Sequence, residues 1–93
     1  MKTNSTISAQ EWIDQQLRDP AFAREFESLE PAYQVARLRI LRGLTQQELA
    51  DKVGTQQPSI ARIESARRRP SLEMLTRIAE ALDADLVVSL RPR

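Results

Sequence analysis

The chain has 93 residues, 29% of them charged, with a formal net charge of +1 and neither cysteine nor histidine. This length suits one domain with a modest core and an attached arm. The absence of cysteine and histidine excludes disulfides, thiol chemistry and zinc fingers, and it removes the commonest general base. No apolar run is long enough for a membrane span, and the first residues lack an apolar signal-peptide core, so we expect a cytoplasmic protein.

Charge is unevenly distributed along the chain. Residues 1–30 hold three basic and six acidic residues, a net charge of −3, whereas residues 31–93 hold eleven and seven, a net charge of +4. A basic domain suits a phosphate backbone, and DNA would repel the acidic arm. Ordinary scatter of solvated surface charges explains the imbalance equally well.

The arm predicts two short helices. Ser8 and Glu11 have the spacing of a capping box, which predicts a helix from about Ala9 to Arg18. One side of that helix holds three apolar residues, namely Trp12, Ile13 and Leu17.

A second arm helix is predicted to start at Asp19 and Pro20, an acidic N-cap followed by proline at the first helical position. Its apolar stripe follows the spacing i, i+4, i+7 and consists of Phe22, Phe26 and Leu29.

Residues 31–64 predict three helices. The first runs from Pro31 to about Arg42 and is ended by Gly43. The second begins with the capping box of Thr45 and Glu48 and stops at Gly54, because glycine tolerates the left-handed φ of a helix end.

The third of these helices has Thr55 as its N-cap candidate and Pro58 in its first turn. The predicted inward side chains of this helix and the preceding one are Leu49, Ala50, Val53, Ile60 and Ile63. The predicted outward side chains at the front of the third helix are polar and able to donate hydrogen bonds, namely Gln56, Gln57, Ser59 and Arg62. This is the layout of a helix-turn-helix that reads DNA.

A basic loop, residues 67–69, follows the third helix. Ala66 precedes this loop, and alanine is strained at positive φ, so we expect the helix to close without a left-handed residue there. Ser71 caps a further helix that runs to about Leu82. Its predicted buried face consists of Leu72, Leu75, Ile78, Ala79 and Leu82.

Residues 86–91 predict a β-strand, because they are short, apolar and β-branched. Leu86, Val88 and Leu90 alternate with the other three residues. A single strand leaves its backbone groups unpaired, so we expect it to pair with the same strand of a second copy. The alternative is an extended tail packed on the helices.

Residues 37–82 resemble the Cro/cI-type (XRE) helix-turn-helix family through the segments GLTQQELA (43–50), QPSIARIE (57–64) and RPSLEML (69–75). The resemblance implies base contacts for Gln56, Gln57 and Arg62, and phosphate contacts for Gln46 and Ser59. Glutamine suits adenine and arginine suits guanine, and Pro58 can touch a thymine methyl. The alternative is a solvated helix face on which Arg62 pairs with Glu64 or with another surface carboxylate.

The three arginines of the basic loop, Arg67, Arg68 and Arg69, are predicted to act as a phosphate clamp that fixes position without reading sequence. A plain solvated loop is the alternative. Neither a nucleophile–base pair nor a glycine-rich phosphate cradle can be assembled from this sequence, so we predict that the chain is not an enzyme and uses no cofactor or metal.

All four aromatic residues, Trp12, Phe22, Phe26 and Tyr33, precede the predicted helix-turn-helix. Packing of the arm accounts for some of them, but aromatic anchors in an acidic amphipathic segment also suit a basic protein partner. The candidate partner-binding residues are Trp12, Leu17, Phe22, Glu25 and Phe26.

The segment DPAFAREFESLEP (19–31), the domain after it and the apolar C-terminal segment together resemble HigA-type antitoxins. This resemblance implies a Cro/cI-type dimer that neutralises a small basic messenger-RNA-cleaving toxin of the RelE fold (HigB type) and represses its own operon. A stand-alone repressor, in which the arm serves only stability, is the alternative.

The sequence therefore predicts an all-α bundle in three parts. Residues 1–30 form a partner-binding arm, residues 31–83 a helix-turn-helix domain for double-stranded operator DNA, and residues 84–93 a strand that pairs in a homodimer through Leu86, Val88 and Leu90. Half-sites of a palindromic operator would lie about one helical turn apart.

Overall fold

Six α-helices form the architecture. A computed structural model describes residues 8–27 and 29–93, without the side chains of four residues of the first helix, Ala9, Gln10, Ile13 and Leu17. The helices are α1 (Ala9–Arg18), α2 (Pro20–Glu27), α3 (Pro31–Leu41), α4 (Gln46–Val53), α5 (Gln57–Glu64) and α6 (Leu72–Ala81). The described residues contain no β-strand, so the helical bundle is confirmed.

Two reciprocal capping boxes start α1 and α4, as the sequence predicted. The Ser8 hydroxyl accepts a hydrogen bond from the Glu11 amide at 3.0 Å, and the Glu11 carboxylate accepts one from the Ser8 amide at 2.9 Å. Thr45 and Glu48 form the same pair of bonds at 3.0 and 2.8 Å. Each box satisfies two N–H groups that a helix start otherwise leaves without a partner.

The start of α5 differs from the prediction. Its N-cap is Gln56, which makes no capping bond through its side chain, and Thr55 is not the cap. The reason is that the Thr55 amide donates to the Ala50 carbonyl at 2.9 Å, so Thr55 belongs to the turn that closes α4. Pro58 then occupies the first turn of α5, where its missing N–H costs little.

The core lies where α4, α5 and α6 meet α3. Among the described residues the buried apolar side chains are Val35, Leu38, Leu49, Ala50, Val53, Ile60, Ile63, Ile78 and Leu82. All five predicted inward residues of α4 and α5 are in this set. Leu72 is an error of the prediction: it is 61% exposed, because it is the first residue of α6, and Met74 packs against the core instead.

The end of α5 also contradicts the prediction. Ala66 has φ +61°, in the left-handed region. The Arg67 amide donates to the Arg62 carbonyl at 2.9 Å and the Ala66 amide to the Ile63 carbonyl at 3.1 Å, which is the bonding of a Schellman motif. These two bonds require a left-handed residue at position 66, so the helix closes in that way despite the alanine.

The arm folds back antiparallel along α3. The Asp14 carboxylate of α1 pairs with the Arg42 guanidinium at the end of α3, 2.7 Å away. The Phe26 carbonyl of α2 accepts a hydrogen bond from the Gln34 amide at the start of α3, at 3.0 Å. Early arm residues thus meet late α3 residues and late arm residues meet early ones, so the arm is attached at both ends of this helix.

The predicted strand at residues 86–91 is absent from the single chain. Residues 84–93 form neither helix nor strand, and residues 85–93 are exposed. The physical reason is that these residues have no neighbouring strand to bond with, and an isolated strand gains no ladder hydrogen bonds.

Candidate nucleic-acid interface

The turn between α4 and α5 sets the geometry of the candidate interface. Gly54 has φ +83°, a left-handed conformation that side chains with a Cβ rarely adopt, and it allows the chain to reverse immediately after α4. Ala50 and Ile60 are both fully buried, and the small alanine lets α4 and α5 approach closely. The front of α5 is therefore held at a fixed angle on the outside of the bundle.

The polar residues predicted at the front of α5 lie on its surface. Gln56, Pro58 and Arg62 are exposed, whereas Gln57 and Ser59 are half-buried. Their amide, hydroxyl and guanidinium groups are the groups that bond to base edges in a major groove.

A hydrogen-bond chain links α5 to α4. The Gln57 side-chain Nε2 donates to the Gln46 Oε1 at 2.9 Å, and the Gln46 Nε2 donates to the Glu64 Oε1 at 3.0 Å. The Gln57 amide still has its Oε1 and one N–H beyond that bond, one acceptor and one donor. This is the pair of groups that a bidentate contact with adenine needs.

Glu64 accepts the last bond of this hydrogen-bond chain and is itself held by an ion pair. Its carboxylate pairs with the Arg39 guanidinium, with Nε–Oε2 at 2.7 Å and Nη2–Oε1 at 3.0 Å, and Arg39 Nη1 also donates to the Leu44 carbonyl at 2.8 Å. The Glu64 hydrogen bond raises the pKa of Arg39, and burial opposes that rise. Glu64 is therefore engaged by α3 and α4, and its ion-pair partner is Arg39 instead of Arg62.

The basic loop adjoins the front of α5. Arg67, Arg68 and Arg69 are all exposed. Ser59 of α5 lines a recess together with Arg68 and Arg69, which brings three of the predicted DNA-binding residues to one place. Serine and arginine are residue types that commonly contact the phosphate backbone.

The arm residues predicted to bind a partner differ in their exposure. The Trp12 side chain is 52% exposed and Glu25 is exposed, but Phe22 and Phe26 are half-buried and their ring centroids lie 6.2 Å apart. Phe26 also packs against the core. The side chain of Leu17 lies outside the described residues.

The structure adds residues that the sequence did not single out. Arg39 and Glu64 hold the α4–α5 geometry, yet they are 25 positions apart, and no local spacing relates them. The sequence feature that could have identified Arg39 is its charge inside the otherwise apolar run 38–41. Arg42 is a third residue with a structural role that the sequence did not reveal, since it donates hydrogen bonds to the Asp14 carboxylate and to the Leu82 carbonyl.

Residues 35–88 match a family model described as helix-turn-helix. Comparisons with curated proteins and with solved structures found no match. In the described part of the chain, no helix combines the length and the hydrophobicity needed to cross a membrane.

Proposed function

The chain belongs to the Cro/cI-type (XRE) helix-turn-helix family of DNA-binding transcription regulators, and from this premise we propose that the front of α5 reads operator DNA. Gln56, Gln57 and Arg62 contact base edges, and Pro58 touches a thymine methyl. The observation that carries this proposal is the Gln57–Gln46 hydrogen bond, because it fixes the orientation of an outward amide before DNA arrives.

Phosphate contacts fix the register of α5 in the major groove of the DNA. Gln46 and Ser59 make these contacts at the front of the motif, and the three arginines of the basic loop extend them along the backbone. Support comes from the recess that Ser59 shares with Arg68 and Arg69, residues that carry a hydroxyl and two positive charges. These contacts supply affinity on any sequence, whereas the base contacts discriminate between sequences.

The regulator acts as a homodimer on a palindromic operator. Pairing of residues 86–91 with the same residues of a second copy supplies the ladder bonds that one chain lacks. The support is the exposure of the apolar segment, with Val88 at 63% and Leu90 at 96%. Exposed apolar residues in a row are the usual sign of an interaction surface.

The arm neutralises a basic messenger-RNA-cleaving toxin of the RelE fold, and the same dimer represses the operon that encodes both proteins. This part of the proposal is supported by the resemblance to HigA-type antitoxins and by the net charge of −3 in residues 1–30. Trp12 on α1 is the aromatic anchor that remains 52% exposed on the arm, so it is the side chain best available to a partner.

A stand-alone regulator without a toxin partner is the second candidate. It is favoured by the packing of Phe26 against the core and by the Gln34–Phe26 hydrogen bond, because these contacts give the arm a role in stability. In this alternative, substitutions in the arm change folding and leave no other phenotype.

Co-expression separates the two candidates. The partner is the product of the reading frame adjacent to this gene, tagged for purification and tested for growth arrest. The antitoxin proposal expects the chain to co-purify with it and to restore growth, and it expects Trp12→Ala to weaken the complex at least tenfold. Leu72→Ala is the matched control, since Leu72 is similarly exposed at 61%. Unrelieved arrest without a complex contradicts the antitoxin role.

A further inference from the structure

An apolar groove lies open along the outer side of α3. We call it the α3 groove, and it is lined by Leu29, Tyr33, Ala36, Arg37, Ile40 and Leu41. Tyr33 is 62% exposed and Ile40 is 63% exposed. The inward side of the same helix supplies Val35 and Leu38 to the core, so α3 presents apolar residues on two of its sides.

Among the described residues, the C-terminal segment is another uncovered apolar surface. Val87 is 83% exposed and Leu90 is 96% exposed, and neither contributes to the core. In the single chain the segment does not line the α3 groove. One molecule thus carries an open apolar groove and an open apolar segment that do not cover one another.

Strand pairing alone cannot cover this segment. In an extended segment Leu86, Val88 and Leu90 lie on one face, because successive side chains point to opposite sides. A ribbon of only two strands is marginally stable in water and requires packing against a helix or a third strand. The apolar face of a paired ribbon therefore needs an apolar helix surface.

The charges near the α3 groove and in the C-terminal segment also favour contact between the two. The segment ends with Arg91 and Arg93, and Asp85 is the only acidic residue after position 83. Glu30 follows the groove residue Leu29 in the chain, is exposed and makes no capping hydrogen bond with its carboxylate. The groove also contains Arg37, but its guanidinium lies over the Phe22 ring, 5.6 Å from the centroid, and is directed to the arm.

The starting point of the segment is fixed at the end of α3. Arg42 donates to the Leu82 carbonyl at 2.9 Å and to the Asp83 carbonyl at 3.2 Å. Its side chain is only 10% exposed, so this attachment is held within the bundle. The segment therefore leaves the molecule at the end of the helix that carries the groove, and two such molecules meeting there can exchange segments.

We propose that the α3 groove receives the C-terminal segment of a second copy of this chain. The face formed by Leu86, Val88 and Leu90 packs against Tyr33 and Ile40 of the partner, and each subunit supplies both a groove and a segment. This inference rests on the homodimer of the proposed function and assigns it a surface beyond the paired strands.

Cross-linking tests the contact directly, because the chain has no cysteine and each introduced thiol is unique. Tagged Ile40→Cys chains are mixed with untagged Val88→Cys chains and treated with a short bismaleimide. We expect a covalent tagged–untagged dimer. The matched control mixes Leu72→Cys with Val88→Cys chains, since Leu72 is as exposed as Ile40 but lies on α6, and we expect no such product.

Sedimentation equilibrium gives the independent measurement. Ile40→Asp places a charge in the groove at an exposed position, so the fold is retained, and we expect dimerisation at least tenfold weaker than for Leu72→Asp. Two results together would overturn the proposed groove contact and leave the strand-paired dimer in place. One is that Ile40→Cys and Val88→Cys chains do not cross-link, and the other is that the Ile40→Asp variant dimerises normally. A wild-type chain that remains monomeric would overturn both.

Discussion

The Arg39 guanidinium and the Glu64 carboxylate form a two-point ion pair that joins α3 to the last turn of α5. Both side chains are nearly buried, with 14% and 7% exposed. Because Glu64 also accepts from Gln46, which in turn accepts from Gln57, the pair supports the outward amide at the front of α5. The candidate DNA-reading surface therefore depends on a contact beneath it.

Glu64→Gln should destabilise the fold. The substitution leaves the Arg39 charge nearly buried without its counter-charge, which typically costs about 3 kcal/mol or more. The midpoint of a urea unfolding curve measures the loss. Glu73→Gln is the control, because the Glu73–Arg77 pair is exposed and should contribute less than about 1 kcal/mol. Equal effects of the two substitutions would show that the Arg39–Glu64 pair is not structurally important.

Ala66→Gly should stabilise the fold. Glycine adopts φ +61° without the strain that alanine bears, and the expected gain in the free energy of unfolding is about 0.5–1 kcal/mol. The same substitution inside α5, Ala61→Gly, should lower the free energy of unfolding by a similar amount, because residue 61 is helical. Thermal unfolding followed by circular dichroism compares the two variants. If Ala66→Gly also destabilises the chain, the left-handed assignment is wrong.

Acid should weaken the start of α1. Hydrogen bonds from Ser8 lower the pKa of the Glu11 carboxyl below its ordinary value of 4.5. A lowered pKa in the folded state contributes stability above the unfolded pKa and loses it as pH falls through the folded pKa. We therefore expect the Ser8 and Glu11 amides to lose their hydrogen-bonded chemical shifts at a midpoint below pH 4.5. Glu11→Gln should abolish that transition, and a transition that persists in this variant would contradict the assignment.

Much of the fold was predictable because its signals are local. The capping residues Ser8 and Thr45 bond to groups three residues away, and Gly54 ends α4 by its own backbone preference. Such signals can be read from spacing alone. The outward position of Arg62 followed from the inward positions of its apolar neighbours in the same way.

What the sequence could not predict depends on distant residues. Phe26 belongs to an apolar stripe and was interpreted as a candidate partner-binding residue, yet it packs against the core, because the arm folds back along α3. Leu72 has the right helical spacing for burial but occupies a first turn that the core does not reach. The strand at residues 86–91 was predicted from composition, but strand formation requires a partner that one chain does not contain.

Sequence-specific DNA binding through the front of α5 is the central claim, and one measurement tests it most directly. Wild type, Gln57→Ala and Arg68→Ala are titrated at two salt concentrations with a duplex that wild type selects from a random pool, and with a scrambled duplex. Gln57→Ala should lose about 1–3 kcal/mol on the selected duplex and almost nothing on the scrambled one. Arg68→Ala should weaken both and reduce the salt dependence by about one ion. Equal losses of Gln57→Ala on both duplexes, or a wild type that selects no sequence, would contradict the claim.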